Sequence, residues 1–108
     1  MIDLAAARAR LEAQRAELEE RHKRVEKDLS EPLEADSSER AVQMEDDSSL
    51  EGQAALIARE IASVMRALTR LGNGTYGQCV RCGGEIAASR LAARPEAALC
   101  IDCARQEQ

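Results

Sequence analysis

The sequence contains no phenylalanine and no tryptophan, and Tyr76 is its single aromatic residue. Hydrophobic residues make up 44% of the chain, but many of them are alanines, which bury little area per side chain. Because aromatic side chains bury the most area, their scarcity excludes a thick hydrophobic core. A small block of such a chain needs another source of stability, and below about 70 residues a bound metal is a common one.

Long hydrophobic runs are also missing. No segment reaches about 18 consecutive apolar residues, so the sequence predicts no membrane-spanning helix. A charged segment followed by an apolar one is absent at the N-terminus, so we expect no signal peptide. These features predict a cytoplasmic protein in a reducing compartment, where paired cysteines indicate metal binding before disulfides.

Positive charge is in deficit, with 15 basic and 20 acidic side chains and a formal net charge of −5. Residues 28–51 hold nine acids and one base, whereas residues 66–108 hold six arginines and four acids. A net acidic chain lacks the electrostatic signature of proteins that bind nucleic acid directly. The opposite character of the two segments favours a protein partner with matching patches.

Two segments carry hydrophobic residues at the spacing of paired helices. In the first, residues recur every seven positions: Leu4, Leu11, Leu18 and Val25. In the second, steps of four and three alternate: Leu50, Ala54, Ile57, Ile61, Val64, Leu68 and Leu71. Pro32 predicts the end of the first helix, and Gly72 is the predicted C-cap of the second.

A reversal between residues 30 and 38 would place these two seams opposite each other. We therefore predict a mainly α fold, with an antiparallel coiled-coil hairpin over residues 1–72 and its tip at about residues 30–41. A small four-cysteine zinc finger would follow over residues 73–108. An ordinary surface stripe and an intermolecular coiled coil are the alternatives, but the proline turn and the matched seams favour an intramolecular hairpin and a monomer.

The four cysteines have the spacing Cys-x2-Cys-x17-Cys-x2-Cys, formed by Cys79, Cys82, Cys100 and Cys103. Two Cys-x-x-Cys turns supply four soft ligands, so the spacing predicts one structural Zn²⁺ with no open coordination position. Gly83 and Gly84 suit the first turn, which needs relaxed backbone geometry. Redox pairs and disulfides fit less well, because no βαβ pattern accompanies the cysteines; iron is the alternative metal.

Catalysis and base recognition have little support. The only histidine, His22, lies among charged residues of the first helix, and no base–nucleophile pair or phosphate-binding loop accompanies it. The sequence therefore predicts that the protein is not an enzyme. DNA-binding fingers of the GATA type share the cysteine spacing but need a basic segment after the second pair. Here Arg105 is the only base after Cys103, so sequence-specific DNA binding is disfavoured.

The C-terminal residues resemble the DksA/TraR family of bacterial transcription regulators, and the similarity extends more weakly over about residues 30–103. It is carried by Tyr76-Gly77, Cys79-Val80-Arg81-Cys82-Gly83, Glu85-Ile86, Arg90-Leu91, Ala93-Arg94-Pro95 and Leu99-Cys100-Ile101-Asp102-Cys103. The resemblance implies a hairpin that enters the secondary channel of RNA polymerase and a globular end that rests on the rim. It also implies modulation of transcription initiation together with ppGpp, the effector of the stringent response. A zinc-stapled coiled-coil adaptor for another protein is the alternative.

In that family an Asp-x-x-Asp-x-Ala motif at the tip acts close to the polymerase active site. The matching residues here are Asp36, Glu39 and Ala41, so the second carboxylate is kept one methylene further out. The pair Asp36 and Glu39 also fits a capping box that opens the second helix. Given the resemblance, we expect both roles.

The resemblance also implies contacts to ppGpp or to the polymerase rim, for which the candidates are Arg90, Arg94 and Arg105. Arg94 matches a family arginine, but Ser63 and Ala104 stand where the family has lysines. Fewer cations weaken the binding of a polyphosphate anion. We therefore expect a protein that binds polymerase and responds to ppGpp weakly or not at all.

Overall fold

The computed structural model describes residues 2–30 and 37–107, with side chains given for residues 2–30 and 49–107. Its helices are α1 (Leu4–Ser30), α2 (Ser37–Asn73), α3 (Ala88–Ala93) and α4 (Ile101–Gln106). Within the described ranges no strand forms, and Gln78 and Glu85 make an isolated antiparallel bridge. The predicted mainly helical fold is therefore confirmed. Neither long helix, over these same residues, has the length and apolar character needed to cross a membrane.

Helix α1 has a side-chain cap at its start. The Asp3 carboxylate accepts a hydrogen bond from the Ala6 amide at 3.0 Å, which satisfies one of the amides that lack a partner in a first turn. The helix is described to Ser30, and Pro32, which predicts its end, lies outside the described residues. Its 27 residues correspond to a length of about 40 Å.

Helix α2 ends later than the sequence suggests. Gly72 is still helical, and the backbone reverses at Gly74, whose φ is 81°. The Thr75 amide then donates to the Arg70 carbonyl at 2.9 Å, which is the long hydrogen bond of a Schellman ending. The prediction that Gly72 caps the helix is wrong, because the left-handed residue is the second glycine of the Gly-Asn-Gly turn.

The chain forms two compact units, of which the first combines an early and a late segment and the second is continuous. Unit 1 contains Met1–Arg15 and Ala62–Gln108, and unit 2 contains Ala16–Ile61. Unit 1 thus pairs the start of α1 with the end of α2, which is the pairing that an antiparallel hairpin requires. The sequence-based division into residues 1–72 and 73–108 remains a prediction.

The hydrophobic seams are buried within each unit. In unit 2, Leu18, Val25 and Ile57 are buried. In unit 1, Leu11 and Val64 are fully buried, but Leu4, predicted to lie on the seam, is 52% exposed. Ala7 and Ala67 are buried instead, since a helix of 3.6 residues per turn drifts away from a strict seven-residue repeat.

Candidate metal centre

The first cysteine pair lies in a tight turn in unit 1. The Gly83 amide donates to the Cys79 carbonyl at 2.9 Å, and the Cys79 amide donates to the Gly84 carbonyl at 2.7 Å. Gly83 has a φ of 77°, a conformation that side chains rarely allow. The Gly84 amide points at the Cys82 sulfur, 3.4 Å away. Both predicted glycines therefore take part in the turn that presents the sulfurs.

The second pair is held by the start of α4. Cys100 is the N-cap residue in an extended conformation, and its carbonyl accepts from the Ala104 amide at 2.9 Å. Cys103 lies in the first turn of the helix and is buried. The Val80 amide donates to the Ala98 carbonyl at 2.9 Å, which ties the first turn to the segment that leads into the second.

Together the two turns bring the four cysteine sulfurs within 4.8 Å of one another. The Cys82 and Cys100 sulfurs are 3.8 Å apart, and a tetrahedron with zinc–sulfur bonds of about 2.3 Å has edges of about 3.8 Å. A disulfide would need about 2.05 Å, and all four cysteines are free. The donor set therefore fits one zinc ion in a closed tetrahedral site.

The surroundings of the sulfurs favour different protonation states in the absence of a cation. Backbone hydrogen bonds at Cys82 and Cys100 lower the pKa of the Cys79 thiol. Burial raises the pKa of the Cys103 thiol. A divalent cation compensates the charge that accumulates when all four sulfurs ionise, so binding of the metal and loss of the thiol protons are linked.

Two of the metal ligands also form half of the buried core of residues 74–107, the part of the chain after α2 that we call the zinc block. Cys79 and Cys103 are buried together with Ile86 and Leu91. Partly buried hydrophobic residues surround these four: Ile2, Tyr76, Ala97, Leu99 and Cys100. Because two of the four core side chains are zinc ligands, removal of the metal would leave thiolates or thiols within this core.

Polar contacts attach this block to the long helices inside unit 1. The Arg10 guanidinium donates to the Ala92 carbonyl at 2.6 Å. Within the block itself, the Tyr76 hydroxyl donates to the Pro95 carbonyl at 2.9 Å. Burial, with a smaller contribution from Arg66, lowers the pKa of Arg70, whose guanidinium lies 3.4 Å from the Glu96 carbonyl. Sequence reasoning missed Arg10 and Arg70, because nothing distinguishes them from the other arginines of these helices.

The three candidate arginines have different surroundings. Arg90 is half-buried and its Nε donates to the Leu99 carbonyl at 2.9 Å, so it holds the second cysteine turn. Arg94 is 68% exposed, with its Nε 3.6 Å from a Glu96 carboxylate oxygen. Arg90 and Arg94 line one groove of about 650 Å³, and exposed Arg105 is not among its lining residues. Their contacts to ppGpp or polymerase remain predictions.

The other predicted positions are partly described. Ser63 is half-buried, and its hydroxyl accepts from the Arg66 guanidinium at 3.2 Å. Ala104 is half-buried in α4. Asp36 lies outside the described residues. Glu39 and Ala41 belong to α2, but their side chains are also outside the description, so the tip motif stays a prediction.

Two family models match the chain. Residues 8–71 match the DnaK suppressor protein-like, N-terminal domain, and residues 74–108 match the prokaryotic dksA/traR C4-type zinc finger. The second match, together with the sulfur cluster, confirms the predicted cofactor, one structural zinc ion.

Comparison with individual proteins shows similarity to members of the same family. A 43-residue segment is 44% identical to the RNA polymerase-binding transcription factor DksA of Escherichia coli (strain K12), and equally to that of Salmonella typhimurium. This segment is 40% of the chain but only 28% of the length of either relative. The solved structure of transcription factor DksA2 from Pseudomonas aeruginosa is similar over 96% of this chain and 81% of that one. The TM-score is 0.84 and the sequence identity is 29%.

Replacement of one zinc ligand tests the structural role of the metal. We predict that Cys100→Ser lowers zinc content below one ion per chain and removes the amide exchange protection of residues 75–103, because core and metal site share residues. Ser89→Ala, at an exposed position outside the cluster, is the matched control and should retain both. Near-native protection of residues 75–103 in the Cys100→Ser protein without zinc would contradict the prediction.

Proposed function

The chain belongs to the DksA/TraR family, and on that premise we propose that it binds RNA polymerase and regulates transcription initiation. The observation that carries the proposal is the similarity to transcription factor DksA2, which includes both long helices and the zinc block. The curated relatives are described as RNA polymerase-binding, which supplies the partner. The role is non-catalytic, with zinc supplying only structural stability.

The proposed geometry assigns different tasks to the ends of the long helices. The hairpin would enter the secondary channel, and a helix of about 40 Å provides the reach. Residues 28–51, which include the predicted tip, carry nine acidic side chains, so the inserted end would bring carboxylates towards the active site. The zinc block would rest on the rim and hold the bases of the helices.

The proposal includes a weak or absent response to ppGpp. Arg94 is exposed and pairs with Glu96 at the long distance of 3.6 Å, so its guanidinium could turn to a phosphate. Ser63 and Ala104, which stand at lysine positions of the family, add no positive charge. One guanidinium without neighbouring ammonium groups gives few charge-assisted hydrogen bonds to a polyphosphate.

Competition binding tests the partner. We expect the zinc-loaded protein to bind core RNA polymerase and to be displaced by another secondary-channel factor, because both would occupy the same channel. The measurement is fluorescence anisotropy of the labelled protein, with labelled bovine serum albumin as the negative control. Absence of binding, or binding that the competitor leaves unchanged, would favour the alternative, a zinc-stapled adaptor for another protein.

The effect of the tip carboxylate on initiation can be separated from polymerase binding. We predict that Asp36→Asn keeps polymerase affinity within about twofold but reduces the effect on initiation severalfold, because the negative charge would act near the active site and not at the rim. Asp47→Asn, which removes a charge from the same acidic segment outside the motif, should change neither. Affinity and abortive-transcript synthesis are measured on the same preparations; an equal loss of both would mean that Asp36 only anchors or caps.

The absence of lysines at positions 63 and 104 would explain the weak response to ppGpp, and this explanation can be tested. We predict little synergy between the wild-type protein and ppGpp on a ribosomal promoter, and greater synergy after Ser63→Lys combined with Ala104→Lys, since two cations are restored. Adding Arg94→Ala to that double variant should abolish the gain. Strong synergy in the wild-type protein would overturn this part of the proposal.

A further inference from the structure

We propose that Ile2 couples zinc binding to the seating of the first turns of α1, so that loss of the metal releases this end of the helix. All the contacts involved lie within unit 1. The inference concerns the apparent zinc affinity and the order of residues 2–10. It does not depend on which protein the chain binds.

Ile2 packs against the core of the zinc block although it precedes α1 in the sequence. Its side chain is half-buried and packs against the core that contains the ligands Cys79 and Cys103. The following residue, Asp3, caps α1 through the Ala6 amide. Leu4, one residue further, is 52% exposed. The packing against the core is thus a property of Ile2 and not of every apolar residue at this end.

A glycine provides the space for Ile2. Gly77 has a φ of 89°, and a Cβ atom at this position would lie 2.9 Å from the Ile2 Cδ1 atom. The Gly77 carbonyl accepts from the amide of the core residue Ile86 at 2.8 Å. Cys79 follows two residues later, so the surface that receives Ile2 is continuous with the first cysteine turn.

Polar contacts further along α1 reach the same block. Arg10 donates to the Ala92 carbonyl at 2.6 Å, and the Gln14 amide lies 3.5 Å from a Glu96 carboxylate oxygen. Ala92 directly follows the core residue Leu91 in α3. The start of α1 is therefore held by an apolar contact and two polar ones, and each of the three requires an ordered zinc block.

Coupling of this kind is reciprocal. If metal binding orders the surface that receives Ile2, then docking of Ile2 must strengthen metal binding by the same factor. Without the metal, the core loses two of its four ordered side chains, and the first turns of α1 would be held by the buried seam residues Ala7 and Leu11. The metal thus controls the order at the base of the hairpin as well as the C-terminal block.

Two measurements on the full chain test the coupling. Titration of the zinc-loaded protein with a chromophoric chelator gives the apparent zinc affinity, and amide hydrogen exchange with and without chelator gives the protection of residues 4–10. We expect chelation to remove this protection in the wild-type protein. Ile2→Ala should weaken zinc binding about tenfold, equivalent to about 1.4 kcal/mol. It should also lower the protection of residues 4–10 while zinc is bound.

The control is Leu4→Ala, an equal truncation at an exposed position of the same segment, which should leave zinc affinity within about twofold. Ile2→Val provides a milder change, with an expected weakening of about two- to threefold, if the alanine variant does not fold. Retained protection of residues 4–10 in the metal-free wild-type protein would overturn the proposal. So would unchanged zinc affinity in both Ile2 variants, or an equal weakening by Leu4→Ala.

Discussion

The four cysteine sulfurs, held within 4.8 Å of one another, are the constraint on which the rest of the zinc block depends. Such a cluster can be fully ionised only around a cation, and the same side chains occupy the centre of a core that has no aromatic ring in it. Cys79 and Cys103 are both ligands and core residues. Metal coordination therefore replaces the apolar burial that phenylalanine or tryptophan would give a block of this size.

A core this small cannot orient long helices through apolar packing alone, and directional contacts supplement it. Arg10 of α1 donates to the Ala92 carbonyl of the block at 2.6 Å, and the guanidinium of Arg70 in α2 lies 3.4 Å from the Glu96 carbonyl. Such hydrogen bonds require the acceptors to be in place. Ala92 belongs to α3, whose Leu91 is a core residue, and Glu96 follows that helix. The structural order of the start of α1 and the end of α2 thus depends on the core, and the core depends on the metal. Accordingly, unit 1 contains the start of α1, the end of α2 and the zinc block.

The sequence predicts those features that a repeated or closely spaced pattern encodes. The cysteine spacing predicts the zinc site, because each Cys-x-x-Cys turn is set by a few neighbouring residues. Leu4 shows where periodicity fails: at 52% exposure it leaves the seam, and Ala7 is buried instead. The sequence predicts Gly72 as the cap, but both Gly72 and Gly74 allow a positive φ, and only the backbone reveals that Gly74 adopts it. Ile2 and Arg10 carry no local signal, because their partners lie more than 70 residues away.

The arginines of the zinc block differ in what a substitution would report. Arg90 donates to the Leu99 carbonyl, one residue before the ligand Cys100. Its removal would disturb the second cysteine turn as well as any contact to a partner. Arg94 is 68% exposed and makes a long ion pair at 3.6 Å, a kind of contact that contributes little to stability. A loss of function after substitution of Arg94 can therefore be attributed to recognition. For a substitution of Arg90, the zinc content has to be measured first, before the loss is attributed to contacts with polymerase or ppGpp.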